Sequence, residues 1–112
     1  MDCTFCKIIA GNIPSRKRYE DDAILAFDDI NPQSPVHIIV IPKQHIPSAD
    51  GINNGNSAAI GHLFAQIPTI ARDAGLANGY RVVTNCGPDA CQSVQHLHFH
   101  IMGGRQLSGD MG

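Results

Sequence analysis

Tryptophan is absent from this sequence, tyrosine occurs twice and phenylalanine four times, so the core must be assembled largely from aliphatic side chains. A basic excess is absent too: 8 Lys and Arg stand against 10 Asp and Glu, for a net charge of −2. Binding along nucleic-acid tracts depends on Lys and Arg neutralising successive phosphates, which excludes duplex DNA or RNA as a main partner. No apolar run approaches the roughly 18 residues that span a bilayer, and residues 1–9 lack the basic stretch followed by a long apolar one that marks an export signal. These absences predict a cytoplasmic protein with no membrane partner. Thiols stay reduced in that compartment, so Cys3, Cys6, Cys86 and Cys91 read as free thiols or metal ligands and not as two disulfides.

The 112 residues, 43% of them hydrophobic, suffice for one domain over residues 1–112 with a single compact core. A short helix is predicted over residues 4–10, closed by Gly11. Strands over 17–20 and 23–28 flank the acidic turn Asp21-Asp22. After the turn-rich Asn31-Pro32-Gln33-Ser34-Pro35, a β-branched run over 36–41 reads as a buried central strand stopped by Pro42. Residues 46–56, rich in Gly and Asn, read as a mobile surface loop. Ser57 then caps a helix in which Ile60, Leu63, Phe64, Ile67, Ile70 and Ala71 recur at helical spacing as far as Asp73, with Gly75 as the stop. Pro68 inside that pattern predicts a kink or an irregular turn, because it lacks an N–H and clashes with the Phe64 carbonyl. Strands over 80–84 and 94–102 flank a turn-rich loop at 85–93. Hairpin, strand, helix, strand and strand in that order predict an α+β fold, with a five-stranded, mainly antiparallel sheet, one long helix and one short helix.

Six histidines are present, and three of them alternate with apolar residues in His96-Leu97-His98-Phe99-His100-Ile101. On a strand the three rings share one face while Leu97, Phe99 and Ile101 face the core. Neighbouring rings are then rooted about 6.6 Å apart and the outer two about 13 Å apart. Zinc–nitrogen bonds are about 2.0 Å, so one ion cannot readily hold all three; one ring attacking while another binds or orients fits the spacing better, and a solvated strand face is the plainer reading. Cys3-x-x-Cys6 sits on one helical turn and is open to three readings: half of a tetrahedral zinc site completed by two histidines, unligated thiols, or a redox motif, although the βαβ context of the last is missing. Cys86 and Cys91 read as ordinary free thiols.

His-x-His-x-His followed by Ile101-Met102-Gly103-Gly104-Arg105 resembles the histidine triad family, and its nucleoside phosphoramidate hydrolase branch in particular. Phe5, Lys7-Ile8-Ile9, Ile13-Pro14, Ala26-Phe27, Asp29-Ile30, Asn31-Pro32-Gln33, His37, Ile41-Pro42-Lys43, His45, Asn85 and Gln92-Ser93-Val94 fall in the same register, so the similarity covers about residues 3–105. The resemblance implies a HIT-like fold and attack by His98 on the α-phosphorus of an adenosine or other purine nucleotide conjugate, such as a nucleoside 5′-phosphoramidate. A covalent nucleotidyl-histidine would form and be hydrolysed by water, a role that suits imidazole because its free nitrogen is nucleophilic at neutral pH. His100, Asn85, Gln92 and Ser93 would hold phosphate oxygens or the leaving group, and His37 would support the His98 ring. Asp29 would accept hydrogen bonds from the ribose hydroxyls, although it equally fits a turn closed before Asn31-Pro32. Phe5, Ile13, Phe27, Ile30 and Ile39 would form the base pocket, although apolar residues there would be core in any fold.

Certain bacterial members carry a Cys, Cys, His, His set in this register, so the resemblance implies a structural zinc on Cys3, Cys6, His45 and His96. It also implies a homodimer that joins two sheets into one of ten strands. Two departures stand out. Ala90 and Cys91 replace glycines common in the phosphate loop, and the end of the chain, Leu107-Ser108-Gly109-Asp110-Met111-Gly112, lacks the Trp-Pro tail frequent in this branch. Two rival functions remain at the level of sequence: a hydrolase whose catalytic zinc sits on His96 and His98, and a non-catalytic purine nucleotide sensor or scaffold.

Overall fold

The β-branched run that ends at Pro42 is buried on both sides, and the rest of the chain is layered around it. The computed structural model describes residues 3–112. Its elements are α1 (Thr4–Ile9), β1 (Lys17–Glu20), β2 (Ile24–Asp28), β3 (Val36–Pro42), α2 (Ser57–Asp73), β4 (Tyr80–Val83) and β5 (Phe99–Gly103). The strands form one antiparallel sheet in the order β1-β2-β3-β5-β4, as the α+β reading expects. Side chains alternate across its two faces. Ile24, Ala26, Ile38, Val40, Phe99 and Ile101 pack under α2, through Leu63, Ile67, Ile70 and Ala71. Leu25, Phe27, Ile39 and Ile41 pack on the opposite side against Phe5 and Ile8 of α1.

The six residues of α1 are too few to hold a helix by themselves, so its stability comes from docking Phe5 and Ile8 on the sheet. Cys3 is its N-cap and its sulfur accepts the Cys6 N–H at 3.2 Å. A second anchor joins α2 to the β1–β2 turn. Asp21 accepts hydrogen bonds from His62 at 2.7 Å and the Tyr19 hydroxyl at 2.8 Å. Burial pushes its carboxyl up, but those bonds and the Ala23 and Ile24 N–H groups outweigh burial and hold it well below the usual carboxylate range.

Four expectations change. Asn56 and not Ser57 is the N-cap of α2. The loop before it is tied down, because Asn56 bonds the Gly51 carbonyl at 3.0 Å and its own side-chain oxygen accepts the Asn53 N–H at 2.9 Å. In place of an irregular turn at Pro68 the helix continues through it to Asp73, with Pro68 on the exposed face. The last strand is shorter than the predicted 94–102. Continuing the β3–β5 register beyond Val40↔Phe99 would set Leu97 opposite Pro42, which has no N–H to give. The Leu97 N–H donates instead to the Ile46 carbonyl at 2.6 Å, and residues 94–98 are irregular.

No helix among the described residues is long and apolar enough to cross a membrane. At the end of β5, Gly104 has φ +94°, and a Cβ there would lie 2.9 Å from the Cβ of Pro35. Gly104→Ala therefore combines left-handed strain with a clash, and it should lower the unfolding free energy by about 1–3 kcal/mol in urea titrations. Unchanged stability would mean that this corner repacks freely.

Candidate functional site

Because β5 starts only at Phe99, the three alternating histidines do not share one role. The His96 ring is fully buried and turns toward α1. Its Nδ1 lies 3.3 Å from Cys3 Sγ, 3.6 Å from Cys6 Sγ and 3.2 Å from His45 Nδ1. His45 Nδ1 is 3.6 Å from Cys3 Sγ and 3.3 Å from Cys6 Sγ. Zinc–sulfur bonds of about 2.3 Å and zinc–nitrogen bonds of about 2.0 Å, set at tetrahedral angles, give S–N edges of about 3.5 Å and N–N edges of about 3.3 Å. The four donor atoms lie within 4.8 Å of one another, and both the spacing and the S2N2 donor set suit zinc. His96 Nε2 donates to the Pro42 carbonyl at 2.8 Å, which leaves the Nδ1 lone pair aimed into the cluster. Burial is the main force that pushes the His96 pKa down, with His45 and His98 adding to it, so the neutral, ligating form is favoured.

His98 also packs against Phe5, its ring centroid 5.0 Å from that ring and 5.0 Å from that of His100. Its Nδ1 donates to the His96 main-chain carbonyl at 2.7 Å. The proton is thus fixed on Nδ1, and Nε2 keeps a free lone pair. No fully buried side-chain nitrogen or oxygen among the described residues lacks a partner, which puts the unpaired Nε2 on the accessible edge of a ring only 3% exposed. An imidazole oriented in this way, with one nitrogen open, can act as a nucleophile or a general base.

His37 was expected to support the His98 ring, and it contacts His100 instead. Its Nδ1 accepts the Gln33 N–H at 3.0 Å, so its own proton resides on Nε2, 2.8 Å from His100 Nδ1 and 3.3 Å from Asp29 Oδ2. His100 accepts at Nδ1 and carries its proton on Nε2, as a donor. Asp29, His37 and His100 also have metal-ligand spacing. Metal at His37 Nε2 would need a proton on Nδ1, facing the Gln33 N–H, so the tautomers make these three groups a hydrogen-bond chain. Burial, reinforced by His98 and His37 and opposed by Asp29, pushes His100 down to about 4. Burial lowers His37 as well, against the pull of Asp29.

Asp29 does close a turn, since its Oδ1 accepts the Asn31 N–H at 2.8 Å, while Oδ2 faces His37. Phe5, Phe27 and Ile39 are buried together on the α1 face with Ile13 packed against them, whereas Ile30 stands 99% exposed at the rim. Asn85 and Gln92 are occupied in shaping their loop. Asn85 donates to the Ala90 carbonyl at 2.8 Å. Gln92 accepts the Gly87 N–H at 3.0 Å and donates to the carbonyls of Pro47 at 2.7 Å and Val94 at 2.9 Å. Ser93 is exposed beside them, and Cys91 takes a left-handed φ of 60° that glycine adopts more easily. Sequence reasoning missed two main-chain groups, the carbonyls of Pro42 and His96, which orient the rings; every residue carries a carbonyl, so no residue type signals them.

A family model described as the HIT domain matches residues 10–107. A HIT-like protein from Synechococcus elongatus is 48% identical over 111 residues, which is 99% of this chain and 97% of that protein. A 14 kDa zinc-binding protein from Zea mays is 46% identical over 96% of this chain and 86% of its own. Among solved structures, a HIT family hydrolase from Clostridium thermocellum superposes with a TM-score of 0.95 at 42% identity, over 98% of this chain and 96% of its own.

The ordinary histidine value is 6.5, and that of His100 in the fold is about 4. As pH falls between those values the unfolded chain takes the proton first, so folding stability declines through that window and this contribution levels off below it. NMR titration of the ring should give a midpoint near 4, and His100→Gln should lose less stability than the parent between pH 6.5 and pH 4. A midpoint at or above 6.5 would remove the buried, neutral donor from the site.

Proposed function

The chain belongs to the HIT family, and from that premise we propose that it hydrolyses purine nucleotide conjugates at the α-phosphate, with adenosine 5′-phosphoramidates as the substrate class. The observation that carries this reading is the His98 ring, held by the His96 carbonyl so that a single lone pair, on Nε2, is open to substrate. In the proposed first step Nε2 attacks the α-phosphorus, a phosphorus–nitrogen bond forms to His98, and the bond to the substrate nitrogen breaks as that nitrogen takes a proton from solvent and leaves as the amine. Positive charge that develops on the imidazole is stabilised by the Nδ1–H bond to the His96 carbonyl. The His100 Nε2–H would donate to the departing group or a phosphoryl oxygen, polarised by the hydrogen bond that His100 Nδ1 accepts from His37 beside Asp29. Water then attacks the phosphorus and gives a proton to solvent, the phosphorus–nitrogen bond breaks with its electron pair returning to His98 Nε2, and the nucleoside monophosphate is released.

The remaining assignments follow the same reading. Asp29 keeps lone pairs beyond those given to Asn31 and His37, and a carboxylate suits a ribose diol. Phe5, Ile13, Phe27 and Ile39 supply the apolar base pocket on the α1 face, with Ile30 closing over it from the rim. Ser93 is the exposed hydroxyl for phosphate oxygens, and Asn85 and Gln92 set the loop that presents it. Cys3, Cys6, His45 and His96 would hold a zinc that adds folding free energy by tying α1 to the sheet. The name of the maize relative and the donor geometry both support that assignment. A catalytic zinc shared by His96 and His98 is disfavoured, because His96 has a single free nitrogen and that nitrogen faces Cys3, Cys6 and His45. The hydrolase name of the clostridial relative favours turnover over passive sensing.

His98→Ala should lose roughly 10³-fold or more in phosphoramidate turnover yet still bind AMP, since the pocket and Asp29 remain. Mass spectrometry of quenched protein should locate nucleotide on His98; label on another residue, or full activity of the variant, would overturn the mechanism.

We further propose a homodimer. β4 lies at the sheet edge, with Tyr80 39% exposed, and antiparallel pairing of two such edges would give a ten-stranded sheet without a free edge there. Light scattering at micromolar concentration should return twice the 12.0 kDa chain mass; a monomer mass would exclude it.

A further inference from the structure

Two routes lead from the Cys3, Cys6, His45, His96 cluster to the His98 ring, and each is a single contact long. His96 offers Nδ1 to the cluster while its own carbonyl accepts the His98 Nδ1–H at 2.7 Å. Phe5 lies between Cys3 and Cys6 on α1, with its ring edge-on to His96 at 5.9 Å and to His98 at 5.0 Å. The backbone that carries these histidines is irregular at residues 94–98, outside the β3–β5 ladder, so sheet hydrogen bonding does not hold the His96 carbonyl in place. Its position rests instead on the side chain, bonded at Nε2 to the Pro42 carbonyl, and on the Leu97 N–H to the Ile46 carbonyl. The helix that brings the two sulfurs is too short to persist undocked.

We infer that metal occupancy of this cluster sets the orientation and tautomer of His98, with His96 and Phe5 as the positioning residues. The inference rests on the zinc and nucleotide readings given above. With metal bound, the His96 ring and α1 are immobilised, the carbonyl stays in line with His98 Nδ1, and the Phe5 ring walls one side of the imidazole. Without it, α1 and Phe5 lose an anchor, the His96 carbonyl is held only by the bonds at Pro42 and Ile46, and the His98 Nδ1–H bond that keeps the proton off Nε2 loosens. The metal therefore tunes the nucleophile while binding neither substrate nor water, and the cysteines make the reactivity of His98 responsive to metal supply. Because coupling between two equilibria is reciprocal, a ligand that engages the His98 side must tighten metal binding by the same factor that metal tightens the ligand.

Cobalt(II) and AMP are the probes, used on the full chain. Cobalt should bind with the absorption of a tetrahedral site containing thiolates, and saturating AMP should shift that absorption and raise cobalt affinity, measured by chelator competition, about fivefold or more. The ¹⁵N shifts of the His98 ring should report a proton fixed on Nδ1 in zinc-loaded protein and tautomer exchange after zinc is removed. Phe5→Leu keeps all four ligands, and it should retain cobalt while reducing the AMP effect. If cobalt binds with tetrahedral absorption but neither its spectrum nor its affinity responds to AMP, the coupling is wrong and the zinc reading stands. Failure to bind cobalt would overturn both. AMP that binds nowhere would overturn the nucleotide reading and this inference with it. An His98 tautomer identical with and without metal in folded protein would overturn the coupling alone.

Discussion

The hydrogen bond from His96 Nε2 to the Pro42 carbonyl, 2.8 Å long in a fully buried setting, is the constraint on which the site depends. Pro42 ends the central strand and has no N–H, so the ladder to β5 stops, while its carbonyl remains available to a side chain. His96 takes that carbonyl and is thereby committed to one tautomer, with its other nitrogen aimed at Cys3, Cys6 and His45. The same residue's main-chain oxygen commits His98 in turn. A backbone acceptor left at a strand end thus orients His96 directly and His98 through the His96 carbonyl.

The sheet separates stability from chemistry by face. Under α2 lies the larger aliphatic cluster, where Leu63, Ile67 and Ile70 cover Ile38, Val40 and Ile101. The α1 face has only a six-residue helix to cover Leu25, Phe27, Ile39 and Ile41. A face so lightly covered can admit an apolar ring at its margin, and the histidines of β3 and β5 emerge there because their neighbours Ile38, Phe99 and Ile101 point the other way. Burial keeps His37 and His100 neutral, so each has one donor and one acceptor nitrogen, and a directed chain from Gln33 through His37 to His100 becomes possible. Charged imidazoles would offer donors only, and the chain could not form.

The element order was legible from periodicity and turn residues, because the runs at 24–28 and 36–41 are buried and Leu63, Ile67, Ile70 and Ala71 of the helical repeat are too, although Phe64 of that repeat is exposed. Element ends were less legible. Residues 94–98 have the alternation of a strand but not its pairing, and Pro68 has the signature of a break on a helix face where solvent tolerates it. Periodicity reports which side of an element is apolar, whereas pairing depends on what the neighbouring strand can offer, and Pro42 offers no donor.

Residue types and spacing in the sequence by themselves determined the α+β architecture, the inward and outward faces of the strands, and the set of histidines and cysteines available for chemistry. Only the tertiary structure decided how that set divides. His96 joins a cluster with Cys3, 93 residues away along the chain, and His100 pairs with His37 across 63 residues. His98 is left with its proton on Nδ1 and an open Nε2. The physical reason is that a histidine's role is set by which of its two nitrogens finds a partner. Here the deciding partners are the carbonyls of Pro42 and His96 and the N–H of Gln33, main-chain groups that every sequence contains and only a fold can aim.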